Sequence, residues 1–327
     1  MNNLYPLKFT PILKDKIWGG TRLGELLKKK NASSKCGESW EISGYGKDIS
    51  VVSNGIYSGK KLTDLISKYK GKLLGESVYH RFKKDFPLLV KFIDANDDLS
   101  VQVHPNDKMA KERHKSFGKT EMWYVMESNP GSKLISGFNQ PMTPQRFLKQ
   151  VTEKKVVDVL NFEETAPGDV FFLPSGRIHA IGSGILLAEI QQSSDITYRV
   201  YDWDRFDYQG NPRELHLNLS LEAIDYEFHG NYRESYTLKK NGTTNIVQCP
   251  YFITNLIDCD VPVSKNYEAI DSFVIFISVD GMVTLDCGTH GKITIEKGES
   301  VLLPASIKEI IINPETESKI LEVYISK

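Results

Sequence analysis

Residues 168–182 read Gly-Asp-Val-Phe-Phe-Leu-Pro-Ser-Gly-Arg-Ile-His-Ala-Ile-Gly. Gly168, Pro174, His179 and Gly182 stand in the spacing G-x5-P-x4-H-x2-G. Each fixed position restricts the backbone. Gly168 permits a tight turn into an apolar strand, Val170 to Leu173. Pro174 ends that strand, because it has no N–H to give to a ladder. His179 follows a second turn and can point back toward the strand face. Taken alone, the stretch is strand–turn–strand with either an ordinary histidine or a ligand.

A ligand needs partners elsewhere in the chain. Residues 99–106 read Leu-Ser-Val-Gln-Val-His-Pro-Asn. A period of two puts Leu99, Val101 and Val103 on one sheet face and Ser100, Gln102 and His104 on the other. Gln102 and His104 then project together, close enough for one ion, or else the polar face is simply in water. Exposed strands carry Lys, Glu or Thr more often than Gln-x-His. Glu121 shares its face with Trp123 and Val125. A carboxylate beside large apolar groups is costly unless paired or metal-bound, and a strand-edge glutamate is the competing reading. Lys91 interrupts the apolar run Pro-Leu-Leu-Val-Lys-Phe-Ile and needs an anion or a route to solvent.

The 168–182 spacing resembles the second sequence motif of the cupins, small β-barrels that hold one metal ion. Further segments occur in order: Ile-Trp-Gly-Gly (17–20), Gly-Glu-Ser-Trp-Glu-Ile-Ser (37–43), Ser-Val-Gln-Val-His-Pro-Asn-Asp (100–107) and Lys-Thr-Glu-Met-Trp-Tyr (119–124). Pro-Ser-Gly-Arg-Ile-His-Ala-Ile (174–181) follows. After it comes Ala-Glu-Ile-Gln-Gln-Ser-Ser-Asp-Ile-Thr-Tyr-Arg-Val-Tyr-Asp-Trp (188–203). Together, over roughly residues 5–220, they resemble the type I mannose-6-phosphate isomerases in their short bacterial form. The resemblance implies one zinc ion per chain, held by Gln102, His104, Glu121 and His179. Ligands of N and O only, with an open position, suit a catalytic site.

The same resemblance implies isomerisation of mannose 6-phosphate to fructose 6-phosphate. It assigns Arg199 to the active site and Glu189, ten residues earlier, as a candidate general base. Burial between Leu187 and Ile190 is expected to raise the Glu189 pKa. A zinc-bound water or a ligand histidine is the alternative base. Lys91 and Ser100, nine residues apart, match the phosphate-site pair, and Lys119, which matches a further active-site lysine, is expected to bind the substrate phosphate with them. An Asp near Arg199 (Asp195, Asp202 or Asp204) would instead make it a structural ion pair. Longer family members carry an inserted helical domain for which this chain has no room between 121 and 179, so a more open cleft is expected. An Fe(II)-dependent cupin oxygenase is a second reading, since two His and one carboxylate suit that ion. A non-catalytic sugar-binding cupin is a third. Gln102 and the lysines count against the former, and Glu189 with Arg199 against the latter.

Most of the chain reads as short strands between Gly, Pro, Asn and Asp turns. Helices are expected at Leu62, Leu65, Ile66 and Tyr69, at 107–115, and from the Thr143-Pro144 cap through Gln150. The fold class is all-β with a few short helices, arranged as two cupin or jelly-roll-like β-barrels. At 327 residues two domains are expected: 1–235 as a metal-binding catalytic barrel and 236–327 as a degenerate barrel without metal. The boundary is set in the polar stretch 229–245. Gly298 to Pro304 repeats G-x5-P, with Glu309 at the histidine position. Asp280-Gly281 signals a hairpin.

A formal charge of −1 argues against a nucleic-acid partner. No apolar run approaches membrane length. Cys36, Cys249, Cys259 and Cys287 form no C-x-x-C pair and are expected to be free thiols in a reducing cytoplasm. The expected partner is a small sugar phosphate, and the chain a monomer or weak homodimer. Lys28-Lys29-Lys30 is expected to be solvated, and His80, His114, His216, His229 and His290 to be structural or surface residues.

Overall fold

Twelve strands build the two main sheets of the first part of the chain. They are β1 (Ile12–Gly20), β2 (Cys36–Ile42), β3 (Leu88–Ala95), β4 (Val101–Val103), β5 (Glu121–Ser128) and β6 (Lys133–Phe138). Then come β7 (Leu160–Glu164), β8 (Val170–Leu173), β9 (His179–Ile181), β10 (Ile185–Gln192), β11 (Tyr198–Tyr201) and β12 (Arg233–Glu234). This is a computed structural model, and it describes residues 4–206 and 209–325. A seven-stranded sheet runs in the order β12-β8-β5-β10-β3-β2-β1, and a five-stranded sheet in the order β7-β6-β9-β4-β11. Trp18, Ile93, Trp123, Phe171 and Leu187 from the large sheet share one core with Leu134 and Ile181 from the small one.

The large sheet is covered on both faces. Phe92, Met122, Leu186 and Ile190 pack on its outer side against Leu62, Leu65 and Leu73 and against Ile275, Ile277, Leu321 and Val323 of the second half. Every residue of β3 and of β10 is therefore buried, and each buried Leu, Ile or Phe contributes roughly 1.5–3 kcal/mol over exposure. A charged residue in such a strand needs a partner or a cavity. That condition shapes the site.

The second half holds β13 (Gly242–Gln248), β14 (Ile253–Cys259), β15 (Val263–Asn266), β16 (Val274–Asp280), β17 (Met282–Asp286), β18 (Lys292–Glu296), β19 (Ser300–Leu303), β20 (Glu309–Pro314) and β21 (Ser318–Tyr324). Its sheets are β13-β14-β21-β16-β19 and β15-β20-β17-β18, packed on Phe276, Val283, Leu285, Val301 and Ile312. Both halves are thus two-sheet sandwiches, and no closed barrel forms among the described residues. The edge strands of the two sheets in each half do not pair with each other.

The hairpin expected at Asp280-Gly281 is not formed. β16 pairs with β19 and β21, whereas β17 pairs with β18 and β20. The chain crosses between sheets at Gly281, whose φ is +73° and whose missing Cβ leaves room for the Glu317 carbonyl. The G-x5-P repeat has a repeated geometry. Gly168 and Gly298 both adopt positive φ. The Pro174 and Pro304 carbonyls accept from the N–H groups of Arg177 and Ile307, at 3.0 and 2.9 Å. Leu173 pairs with Glu121 in the first half and Leu303 with Val274 in the second, and Glu309 is exposed.

The helices Leu62–Tyr69 and Asp107–His114 match expectation. Thr143 caps Pro144–Thr152 by accepting from Arg146 N–H at 3.2 Å. Gly71–Leu74 and Glu76–Phe82 are further helices that the sequence reading missed. Lys29 is not solvated: it is 7% exposed, 2.7 Å from Glu41 and bonded to the Gly298 carbonyl of the second half. Among the described residues no helix is long and apolar enough to cross a membrane.

Candidate active site

Cross-strand register builds the site from rows. In an antiparallel sheet, directly opposed residues point to the same face. One row of the large sheet is Trp40, Lys91, Glu189, Trp123 and Phe171. The next contains Leu89, Gln191, Glu121 and Leu173. In the small sheet one row runs Ser136, His179, Gln102 and Arg199. Residues of the three rows meet between the sheets.

His104, Glu121 and His179 converge as a buried set whose ligand atoms all lie within 4.8 Å of one another. The two histidine Nε2 atoms are 3.1 Å apart, and Glu121 oxygens lie 3.5 Å from His104 and 3.4 Å from His179. Each ring turns Nδ1 to a backbone carbonyl: His104 to Ile196 at 3.0 Å and His179 to Arg177 at 2.8 Å. With both Nδ1 atoms donating, both Nε2 atoms carry lone pairs and no proton stands between them. Glu121 Oε2 is buried and accepts no hydrogen bond among the described residues. An inward set of lone pairs, oriented from outside by carbonyls, fits a divalent cation. Gln102 lies in register with His179, so its side chain leaves the sheet on the same face.

Beside this set lies a cavity of about 300 Å³. Six of the expected site residues line it: Lys91, Ser100, Gln102, Lys119, Glu189 and Arg199. Lys119 joins cavity to cluster, with Nζ 3.0 Å from His104 Nε2 and 3.4 Å from Glu121 Oε2. All nine residues singled out from the sequence therefore belong to one region. Lys16, Glu38, Asp195 and Arg213 also line the cavity and were not foreseen. Five cationic and three acidic side chains line it, and Lys16, Lys91 and Arg213 are paired with Glu38, Glu189 and Asp202.

Electrostatics corrects one expectation. Burial pushes the Glu189 pKa up, as anticipated, but Lys91, Lys119 and the Trp123 indole N–H together bring it below the ordinary value. Nζ of Lys91 is 3.1 Å from Glu189 Oε1, and Trp123 donates to Oε2 at 2.9 Å. The anion that Lys91 requires is thus Glu189 itself. Burial lowers the Lys91 pKa, and Glu189 and Glu38 more than offset it, keeping the ammonium charged. Glu38, held by Lys16 at 2.9 Å and by the Trp40 indole at 2.7 Å, falls to about 2 despite its burial. Burial raises Glu121 to about 7 and lowers His179 to about 3, so the imidazole is neutral and ready to donate a lone pair. Arg199 forms no ion pair among the described residues. Asp202 is taken by Arg205 and Arg213.

These features define a mostly-β protein with a candidate metal centre opening onto a cationic cavity. The family profile described as "Phosphomannose isomerase type I, catalytic domain" matches residues 6–131. The chain is 35% identical over 312 residues to mannose-6-phosphate isomerase ManA of Bacillus subtilis, covering 93% of this chain and 94% of that one. It is 35% identical over 304 residues to mannose-6-phosphate isomerase of Streptococcus mutans, covering 93% of each. The crystal structure of the mannose 6-phosphate isomerase from Bacillus subtilis superposes with a TM-score of 0.87 at 32% identity, over 98% of this chain and 100% of that one. The chain belongs to the type I phosphomannose isomerases, a family of enzymes.

Proposed function

We propose that this chain interconverts mannose 6-phosphate and fructose 6-phosphate, with one zinc ion held by Gln102, His104, Glu121 and His179. The observation that carries the reading is the junction at Lys119, where a cation-ready His–His–Glu set meets a cavity lined by lysine and arginine side chains. The names of the relatives support the substrate. A donor set of imidazole, carboxylate and amide oxygen suits zinc in an open catalytic site. When bound there, zinc supplies a Lewis acid for the carbonyl oxygen.

The chain's own residues account for the rest. An aldose–ketose exchange moves a proton from C2 to C1 of the open-chain sugar. Glu189, on the cavity wall, is the proposed carrier. Lys91 keeps it ionised and a weak base in the free enzyme. A substrate phosphate drawn to Lys91 and Ser100 shares that ammonium and weakens its hold, which raises the basicity of Glu189 when substrate is present. Lys119 lies against the metal set and so toward the reacting carbons. Arg199, in register with Gln102, holds negative charge developing on the enediolate oxygens. The family's cupin architecture is read here as the two-sheet sandwich of each half. The four cysteines, all buried and unpaired, suit a reducing cytoplasm.

A coupled assay for fructose 6-phosphate, run beside metal analysis, tests the reading. Turnover of mannose 6-phosphate that is lost on chelation and restored by zinc is the expected result. Oxygen consumption dependent on Fe(II), or sugar binding without turnover, would replace it.

A further inference from the structure

The guanidinium of Arg199 is held by neighbours that the reaction itself does not require. Its Nη1 donates to the Glu214 carbonyl at 2.8 Å. Its backbone N–H donates to His216 Nδ1 at 3.1 Å, and its carbonyl accepts from His216 N–H at 2.7 Å. Because Nδ1 accepts, the neutral His216 ring carries its proton on Nε2. Residues 213–216 are anchored in turn by Asp202, just past β11. Asp202 is 5% exposed and takes Arg213 in a two-pronged pair, Nε to Oδ2 at 2.7 Å and Nη2 to Oδ1 at 2.5 Å. Arg205 adds a third bond at 2.8 Å. The opposite face of β11 is fixed too, since the Tyr198 hydroxyl lies 2.7 Å from His114 Nε2.

One polar atom is left over. Arg199 Nε is buried and donates to nothing among the described residues, although the side chain lines the cavity. A buried N–H without an acceptor is costly unless a ligand oxygen takes it. A guanidinium fixed at its other end by a carbonyl presents that N–H in one direction.

We propose that Asp202, Arg213 and His216 are positioning residues for Arg199: the Asp202–Arg213 pair fixes the segment 213–216, and its Glu214 carbonyl and His216 ring aim the free Nε–H into the cavity. The proposal rests on the isomerase reading for its kinetic consequence, but the aiming itself is a property of the chain. Displacing a positioned group by about an ångström costs roughly ten- to a hundred-fold in rate.

The test is a double-mutant cycle joined to a spectroscopic measurement. D202N and H216A each lower kcat for mannose 6-phosphate by roughly ten-fold or more with KM changed far less. H216N, whose amide oxygen replaces the Nδ1 acceptor, keeps most of the rate. In an R199A background neither D202N nor H216A lowers kcat further. Independently of turnover, the Arg199 Nε–H resonance in arginine-labelled protein, assigned by its loss in R199A, is sharp and slow to exchange, and broadens in D202N and H216A. Equal losses in the presence and absence of Arg199, or an unchanged resonance in both variants, would overturn the proposal. Turnover by the unaltered enzyme tests the isomerase reading separately.

Discussion

Lys91 and Glu189 face each other across β3 and β10, with Nζ and Oε1 3.1 Å apart and neither side chain more than 4% exposed. The pair sits mid-row in a sheet covered on both faces, so both charges are largely withdrawn from water and reach it only through the cavity they line. Removing one partner strands the other. Glu189→Gln is expected to cost on the order of 3 kcal/mol in stability and to abolish proton transfer. Replacing both, as Lys91→Met with Glu189→Leu, is expected to restore most of the stability and none of the activity. Denaturant titration of the single and double variants, with rates beside it, checks both halves. A double variant no more stable than Glu189→Gln would show that the pair is not the source of the cost.

Metal loading follows from the facing Nε2 atoms of His104 and His179. Purified enzyme is expected to hold about one zinc per chain. His179→Ala should lose it while the sandwich core stays folded, because Trp123, Phe171 and Leu187 do not depend on the ion. Metal analysis and circular dichroism on the variant are sufficient. Retention of a full equivalent of zinc would remove His179 from the ligand set.

Glu38 gives a pH test. Its pKa falls from 4.5 in the unfolded chain to about 2 when folded, because the nearby ammonium groups outweigh burial. A depressed carboxylate contributes stability that is present above the unfolded value and lost as pH falls through the folded one. The stability gap between wild type and Glu38→Gln is therefore expected to hold above pH 4.5 and to narrow between pH 4.5 and 2. Urea melts of the two proteins at matched pH measure the gap. A gap that widened on acidification would reverse the sign of the argument.

The sequence revealed this site because its residues fall in short motifs on regular strands, where alternation fixes direction. Gln102, Glu121 and His179 are of that kind. Lys16 was not legible, since β1 carries register shifts on either side of Asp15, and alternation says nothing about a residue there. Arg213 comes from a segment without periodicity, and its place follows from the tertiary pair with Asp202. The depressed pKa of Glu189 was missed for a related reason. Burial is readable from Leu187 and Ile190, but the lysine opposite is a matter of strand pairing. The Asp280-Gly281 turn has the local chemistry of a hairpin, and only the second sheet, out of reach of local pattern, draws β17 away from β16.

The two halves share one apolar interface. Outer residues of the large sheet pack directly on Ile275, Ile277, Leu321 and Val323, and Leu7 pairs with Leu302 through hydrogen bonds of 2.9 Å in both directions. We propose residues 236–327 as a domain whose role is to cover that face. A fragment ending at residue 235 is expected to aggregate, since it would expose a large contiguous apolar patch. Light scattering of the fragment beside the full chain decides the matter, and a soluble, fully active fragment would remove the covering role.

The roles within the cavity separate by substrate. Lys91 touches Glu189 as well as the cavity, so Lys91→Ala is expected to harm the proposed proton transfer and phosphate binding together. Ser100 is buried on the cavity wall and has no such second duty. A hydrogen bond to a charged phosphate contributes about 1.5–3 kcal/mol. Ser100→Ala is therefore expected to lower kcat/KM for mannose 6-phosphate by roughly ten- to a hundred-fold and to leave unphosphorylated mannose unchanged. Lys91→Ala is expected to lower both, with the larger loss on the phosphorylated sugar. Arg199→Ala is expected to lower kcat on both sugars by similar factors, because its charge is proposed to act on the enediolate oxygens. The measurement is the full set of kcat and KM values for two sugars and three variants. Equal losses on both sugars for Ser100→Ala would move the phosphate away from Ser100. An effect of Arg199→Ala confined to KM for mannose 6-phosphate would make that arginine a phosphate ligand instead.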